Sequence, residues 1–431
     1  MKAAILSIGD ELILGQIAER NAGWLSAQLA EIGVLTREHR TVADDLEAIV
    51  RALRELLDQA RVVITTGGLG PTDDDLLRPA LARVLGDEPL VEDPEARAAL
   101  ERWFANQHRV MPEINLRQAQ RPVSASCLEN PHGTAPGLVA PCGESRVWCL
   151  PGPPVEMHPM FERFIRPALE AGRRMRVVKL ASIPCFGLGE SVVAERLGEL
   201  MARDRDPLVG TTASNLVVTI RIRSEQAMAH DAEAFDAFVD GVIERVHPYA
   251  LGRSPMTIAE AFAEVALAKG VRAAFAESCT AGLASAMLGE VPGASRWLEG
   301  SVVSYSNEIK ASMLGVPPEI LNRHGAVSAE SAAAMVRGAI EKFGVSAAAS
   351  ITGVAGPDGG SESKPVGTVF IATAVGRLPE VVVRRFRLPG LRKAIQERSA
   401  RSAIGALRLH LLGWGSVPLL GEAEPARAVS P

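Results

Sequence analysis

The sequence predicts an α/β protein of two or three domains, and three observations carry that expectation. The chain has 431 residues, more than one ordinary hydrophobic core serves, so it divides. Short apolar β-type runs alternate with helical patterns in both halves, as strand and helix layers require. Polar and glycine-rich stretches fall at the ends of those runs, where open α/β sheets place their ligands.

Composition sets the broad class. Hydrophobic residues make up 47% and charged residues 23%, a globular balance, and the net charge of −5 offers no general field for nucleic acid or an anionic membrane. Aromatic content is 4%, without the interleaving of aromatic and basic residues that stacking on single strands needs. Cys127, Cys142, Cys149, Cys185 and Cys279 form neither a paired zinc spacing nor an even disulfide framework. They read as free thiols in a reducing cytosol. Asp10 and Glu11 interrupt the first apolar run too early for a signal peptide. No apolar segment reaches membrane-spanning length without charge or Gly/Pro punctuation. The expectation is a cytoplasmic protein with no membrane partner.

In chain order, Lys2 to Ile8 reads as a buried strand ending in Gly9, Asp10 and Glu11. Asn21 to Ile32 carries Trp24, Leu25, Leu29 and Ile32 at helical spacing, and Asp45 to Gln59 repeats the pattern through Leu46, Ile49, Val50, Leu53, Leu56 and Leu57. Asp44 closes the extended stretch between them. Val62 to Thr65 is a short β-branched strand that opens TTGGLGPTDDD. There Gly67, Gly68 and Gly70 let the chain turn with its N–H groups exposed, which suits phosphate, and Thr72 lies in the same loop. Asp73, Asp74 and Asp75 would repel a phosphate unless a cation intervenes. With Glu11 and Asp44 at two other strand ends, they point to a divalent metal with oxygen ligands. The plainer alternative is an acid-rich helix N-terminus. Gly133, Thr134 and Gly137 form a second candidate anion loop. Val147 to Leu150 is a strand, and Pro151 to Pro154 a rigid turn into a helix from Glu156.

A smaller α+β module follows, to about Leu251. Arg173, Arg174 and Arg176 lead into a strand Val177 to Ala181; a helix Gly189 to Met201 and an alternating strand Asn215 to Arg223 come next.

The chemistry of the last third centres on Ser278. An apolar run, Val271 to Ala276, feeds into it and a small-residue helix pattern begins almost at once. Amides at a helix start are unsatisfied and can stabilise negative charge on a carbonyl oxygen. The serine needs a base. Tyr305 and Lys310 follow a strand-like run, Gly300 to Ser304, and a lysine kept neutral by burial can serve. The bland alternatives are Ser278 as a helix N-cap and Lys310 as a solvated helix residue; Cys279 is a rival nucleophile. A third apolar strand ends at Ser350 and Thr352, followed by a run of glycines that includes Gly353 and Gly356, and three polar strand ends together favour a pocket. Beyond Leu412 the tail, rich in Gly, Pro and Ala, reads as disordered.

The motifs ESCTAG, YSNEIK and TGVAGPDGGSESKPVGTV resemble the C-terminal domain of the CinA family, a nicotinamide-nucleotide amidase, over about Pro255 to Leu412. The resemblance implies Ser278 as nucleophile, Lys310 as general base and Tyr305 assisting, with Cys279, Thr280, Gly282, Thr352, Gly353 and Gly356 around the substrate and no cofactor. That substrate would be nicotinamide mononucleotide, deamidated to nicotinic acid mononucleotide. One departure is Ala281, where the family commonly reads SCTGG. GDELILG, TTGGLGPTDDD, NPHGTAPG and LPGPPVEM resemble the family's molybdopterin-binding-like N-terminal domain, a three-layer α/β fold. This implies metal-dependent cleavage of ADP-ribose to AMP and ribose 5-phosphate. Gly67, Gly68, Gly70, Thr72, Gly133 and Thr134 would contact substrate, and Glu11, Asp44, Asp73, Asp74 and Asp75 would handle a divalent Mg, Mn or Co ion. The middle module resembles the family's KH-like connecting domain, but its FGLGES turn is not the loop that grips nucleic acid. The domains expected are 1–171, 172–252 and an α/β amidase domain at 255–413, with a disordered tail at 414–431; a homodimer is implied. Two rivals stand beside this. The N-terminal domain could bind a pterin or nucleotide without cleaving it. The chain could instead be a competence- or recombination-related interaction protein, whose nucleic-acid binding would weaken steeply with salt.

Overall fold

The computed structural model describes residues 2–171, 178–253, 256–376 and 380–429, in two compact units, Met1–Val178 and Lys179–Pro431. In the first unit a six-stranded sheet runs in the order Leu35–Val42, Lys2–Ile8, Val62–Thr66, Ser145–Leu150, Gly137–Cys142, Ser126–Leu128. The first four strands are parallel and the last two antiparallel. Lys2–Ile8 shows why the layers form. Its alternate residues feed opposite faces: Ala4, Leu6 and Ile8 join the helix Leu46–Gln59, while Ala3 and Ile5 join the helix Asn21–Glu31. A parallel strand covered on both sides reads as a continuous apolar run, as this one does. Full burial of side chains such as Leu6 and Leu53 contributes about 1.5–3 kcal/mol each. The carboxyl ends of the three leftmost parallel strands deliver Gly9 to Glu11, Asp44 and the glycine loop to one edge.

The second unit holds two sheets. The smaller is antiparallel, in the order Leu208–Ser214, Val217–Ser224, Lys179–Phe186, with the helices Glu190–Leu197 and Ala232–Val246 contributing Val193, Leu197, Val239 and Val242 to its core. Here the sequence reading needs revision. The strand expected at Asn215 begins at Val217, because Asn215 and Leu216 take positive φ (47 and 66) and form a hairpin turn from a strand that the sequence did not announce. Expected strand residue Val177 and the arginines 173, 174 and 176 lie outside the described residues.

The larger sheet runs Leu298–Val303, Ala273–Glu277, Ala347–Gly353, Thr368–Val375, Glu380–Arg387, Glu422–Val429. Its first three strands are parallel and the rest antiparallel. Ile258–Ala268 and Arg392–Leu411 share one apolar cluster with Ala273 and Phe275. Ala329–Phe343 packs with Ala276, Ala348 and Ala372. The last strand corrects, as far as Val429, the expectation of a disordered tail at 414–431; residues 430–431 lie outside the described residues. Glu422–Val429 pairs antiparallel with Glu380–Arg387, and Glu422 meets the wholly buried Arg384, which also donates to the carbonyls of Val417 (3.0 Å) and Gly415 (2.5 Å). Among the described residues no helix is long and apolar enough to cross a membrane.

Candidate active sites

Ser278 directly follows the strand Ala273–Glu277, between the carboxyl ends of its two parallel neighbours. Its amide donates to Ile351 O at 2.9 Å, which ties the serine to the adjacent strand. It is not the N-cap of the next helix. That helix is Leu283–Gly289, its N-cap position is Gly282, and a tight turn separates the two, closed by Ala281 N–H to Ser278 O at 3.1 Å. Ala281 sits at φ 52 and Gly282 at φ 97. A glycine would adopt the left-handed conformation freely, whereas alanine carries a Cβ penalty of about 1–2 kcal/mol there, so the departure at Ala281 is a strained one.

Lys310 comes from the helix Asn307–Leu314 and is 1% exposed. The solvated-lysine alternative does not describe it. Its Nζ lies 3.0 Å from Ser278 Oγ, 2.8 Å from Ser304 O and 3.2 Å from Tyr305 O. Burial pushes its pKa below the ordinary lysine value, with the nearby Cys279 and Glu308 opposing. A neutral amine has two N–H groups and one lone pair. Two carbonyls take the N–H groups, leaving the lone pair for the serine hydroxyl. Cys279 is a poor rival: burial pushes its thiol up to about 12, far from a thiolate at neutral pH.

The structure places Tyr305 differently from expectation. The lysine meets its carbonyl, while its half-exposed hydroxyl accepts from Arg392 Nη2 at 2.8 Å. Arg392 Nη1 donates to Gly356 O at 2.7 Å, so this arginine joins two predicted segments. Thr352 is buried and spends its hydroxyl on Ala326 O (2.7 Å). At Gly353 a Cβ would come within 2.8 Å of Thr368 O. Both positions shape the backbone behind the site. Thr280 Oγ1 is buried without a partner among the described residues.

The largest revision concerns the helix amides expected to face substrate. Glu277, fully buried, accepts from the amides of Gly282 (3.1 Å), Ala284 (3.1 Å) and Ser285 (2.9 Å). Those donors are spent inside the protein. Sequence reading missed Glu277, Arg392 and Gln396, whose Nε2 donates to Cys279 O at 2.8 Å. The acidic end of the apolar run AAFAE was a usable signal for the first; the other two come from a helix more than a hundred residues downstream.

In the N-terminal unit a cavity of about 920 Å³ is lined by Glu11, Asp44, Gly67, Gly68, Gly70, Asp74, Asp75, Thr134 and Glu156, among others. The glycine loop is less open than its sequence suggests. Gly67 N–H donates to Leu150 O (3.1 Å) and Gly70 N–H to Asp75 Oδ1 (2.7 Å). The amides of Gly68 and Leu69 remain without an acceptor among the described residues. Gly67 is required by its backbone: φ is 97 and a Cβ would fall 2.2 Å from Ile8 O. Asp75 also accepts from Thr72 N (2.9 Å) and Thr72 Oγ1 (2.6 Å), so this pair staples the loop. Asp73 pairs with Arg117 and does not line the cavity. Gly133 packs against the Glu156 carboxylate, which accepts from Asn130 Nδ2 at 2.6 Å and whose pKa is raised by burial. Beneath the loop Arg78, buried, donates to Leu69 O (3.0 Å) and Gly70 O (3.3 Å), and burial lowers its pKa to about 10. The sequence reading missed both Arg78 and Glu156.

Glu11, Glu19, Asp44 and Asp74 also line this cavity; Glu19 accepts from Ser7 Oγ (3.1 Å) and Ala22 N (2.8 Å), and Asp44 from Asp10 N (2.9 Å). Burial raises the Asp44 pKa, a backbone bond from Asp10 opposes it, and the like charges of Asp10, Glu11 and Asp74 raise it further. Among the described residues no group of three His, Cys, Asp or Glu converges tightly enough to hold a metal by itself. A magnesium-type ion is commonly held by one or two carboxylates plus substrate phosphates and water. The arrangement does not fit the five-carboxylate set expected from sequence.

Comparison with known proteins agrees in order along the chain. Residues 4–171 match the family described as Probable molybdopterin binding domain, 182–252 the Damage-inducible protein CinA KH domain, and 256–411 the CinA C-terminal domain. A competence-damage inducible protein of Symbiobacterium thermophilum is 40% identical, with 96% of this chain and all of that one covered. A CinA-like protein of Gemmatimonas aurantiaca is 38% identical over 95% of this chain and 96% of its own. A solved CinA structure from Thermoplasma acidophilum is 32% identical, covering 39% of this chain and 98% of that one with a TM-score of 0.37. The fold is thus a molybdopterin-binding-like α/β domain, a KH-like α+β domain and an α/β CinA domain, and the chain belongs to the CinA family.

Proposed function

We propose that the C-terminal site is a serine amidase that converts nicotinamide mononucleotide to nicotinic acid mononucleotide and ammonia. The observation that carries this reading is the 3.0 Å contact between Ser278 Oγ and the buried Lys310 Nζ. Ser278 Oγ attacks the carboxamide carbon as its proton passes to neutral Lys310. The tetrahedral oxyanion collapses, Lys310 returns the proton to the departing nitrogen, and ammonia leaves an acyl-serine. Water then attacks the ester with Lys310 again taking a proton; the acid departs and the proton restores the Ser278 hydroxyl. Arg392, exposed beside Tyr305 and Gly356, supplies a cation for the substrate's phosphate. No cofactor enters the scheme.

The N-terminal cavity we read as a site for ADP-ribose, cleaved to AMP and ribose 5-phosphate. Asp44, with Glu11 or Asp74 beside it, would offer one or two carboxylates to a divalent cation, substrate phosphates and water would supply its other ligands, and the cation would neutralise diphosphate charge. The Gly68 and Leu69 amides offer donors to phosphate, and Arg78 holds the loop that presents them. A second reading, binding of a nucleotide or pterin without turnover, draws on the absence of a preformed three-carboxylate cluster among the described residues.

The test of the amidase is ammonia release from nicotinamide mononucleotide in EDTA. The wild-type chain is expected to turn over, with Ser278→Ala and Lys310→Ala at least a thousandfold slower. No release by wild type would remove this substrate, and full activity of Ser278→Ala would remove this nucleophile.

A further inference from the structure

Resting on Ser278 as the nucleophile, we propose that the oxyanion is held by the turn that follows it, through the amides of Cys279 and Thr280, and that Gln396 positions this turn. Every amide from Ala281 to Ser285 is already used: Ala281 donates to Ser278 O, Leu283 to Thr280 O, and Gly282, Ala284 and Ser285 to Glu277. A buried carboxylate on the helix terminus also places negative charge where a second anion would be repelled. The oxyanion donors therefore lie elsewhere. Among the described residues the Cys279 and Thr280 amides have no acceptor apart from Cys279's own sulfur. They are the two amides immediately after the nucleophile in sequence.

Gln396 fixes the direction of the second of them, the Thr280 N–H. Its Nε2 donates to Cys279 O at 2.8 Å, and Cys279 O belongs to the same peptide group as the Thr280 N–H. In a trans peptide the carbonyl and the N–H point opposite ways, so holding the carbonyl on the Gln396 side turns the N–H away from it. The buried Thr280 Oγ1, without a partner among the described residues, places another unspent donor on the same residue. Preorganised donors of this kind are worth far more than ones that must reorient during the reaction. Glu277 and Gln396 are positioning residues in this scheme: neither touches substrate, and each fixes one part of the turn.

The test compares the full-length chain with three variants: Gln396→Leu, Gln396→Glu, and a chain carrying an ester in place of the Cys279–Thr280 amide. The ester keeps every side chain and removes one N–H. Two readouts are taken. One is the rate at which a small alkyl fluorophosphonate labels Ser278, where serine displaces fluoride, its proton leaves through Lys310, and the phosphoryl oxygen occupies the oxyanion position. The other is kcat and KM for nicotinamide mononucleotide. The ester is expected to slow labelling and kcat by roughly a hundredfold or more, as loss of one such donor does. The Gln396 variants should slow both by about tenfold, with KM within about threefold and melting temperature preserved. Wild-type labelling rates in the ester chain would overturn the amide assignment, and wild-type rates in both Gln396 variants would overturn the positioning role. If wild type is labelled at Ser278 but releases no ammonia, the substrate reading fails and the labelling rates alone decide the oxyanion proposal. Absence of labelling in wild type overturns both.

Discussion

A lysine with 1% of its surface exposed holds its proton less tightly than one in water, because the ammonium loses hydration that two carbonyls and a hydroxyl replace only in part. The sign of the consequence is definite. Above its lowered pKa Lys310 is neutral and can take the Ser278 proton; as pH falls through that value it becomes an ammonium and the base is lost. The expected result is that kcat/KM for nicotinamide mononucleotide rises with pH through one ionisation below the usual lysine range, about 10.4. A flat profile would remove Lys310 as the base. Stability follows the same sign: between the folded pKa and the unfolded value the folded chain binds fewer protons, so stability rises with pH there. At this scale Ser278 was legible because it follows an apolar run at a strand's carboxyl end, and Lys310 because it lies in the polar segment after the next strand-like run, in what the structure shows to be the helix Asn307–Leu314. Glu277 lay just past the apolar run as read, which ended at Ala276, although its carboxylate decides which amides are free. Gln396 and Arg392 were invisible for another reason. Their partners, Cys279, Gly356 and Tyr305, are joined to them by tertiary packing alone.

The strand Glu422–Val429 is an element whose reason for existing lies in another element. Its burial pattern is mixed and its sequence, EAEPARAV, contains a proline, which belongs at a sheet edge. Composition therefore suggested disorder. What orders it is the edge of Glu380–Arg387 and the demand of Arg384, a wholly buried guanidinium bonded to Glu422 and to two carbonyls of the connecting loop. Leu419 and Leu420 of the same segment cover the FGLGES turn: Leu420 N–H donates to Gly187 O at 2.8 Å, and a Cβ on Gly187 would meet Leu419 at 2.4 Å. Truncation after Leu412 should be severe, since a buried charge stripped of its partner costs about 3–5 kcal/mol and a strand edge is bared. A fall in melting temperature on the order of ten degrees is expected. Arg384→Met in the truncated chain should recover part of it. A truncated chain as stable as the full one would show that Arg384 does not depend on the tail. The central parallel strands Lys2–Ile8, Val62–Thr66 and Ala273–Glu277, by contrast, were legible because their apolar runs come from local sequence and are covered on both faces.

Across the whole molecule, each unit closes its own apolar clusters: Leu6, Leu53, Ile5 and Phe161 belong to the first, and Phe262, Phe275, Val336 and Phe370 to the second. Each also brings its own polar strand ends to a site with its own electrostatic logic. The N-terminal cavity gathers carboxylates, and burial, with the like charges of Asp10, Glu11 and Asp74 adding to it, raises Asp44; the C-terminal site sets a buried amine beside a hydroxyl. The two proposed activities should therefore separate. Asp44→Asn is expected to lower divalent-metal-dependent cleavage of ADP-ribose by about a hundredfold or more, comparable to losses at single electrostatic donors, while ammonia release from nicotinamide mononucleotide stays within about twofold. Ser278→Ala should do the converse, and EDTA should reproduce the Asp44→Asn pattern in the wild-type chain. Asp73→Asn tests the division of labour among the acidic triplet, because Asp73 faces Arg117 instead of the cavity; its ADP-ribose cleavage should remain within about threefold of wild type. If Asp73→Asn and Asp44→Asn fail equally, the triplet acts as one charge cluster and the assignment of Asp44 is wrong. If Asp44→Asn also silences the amidase, the units are energetically coupled and the separate-site reading fails.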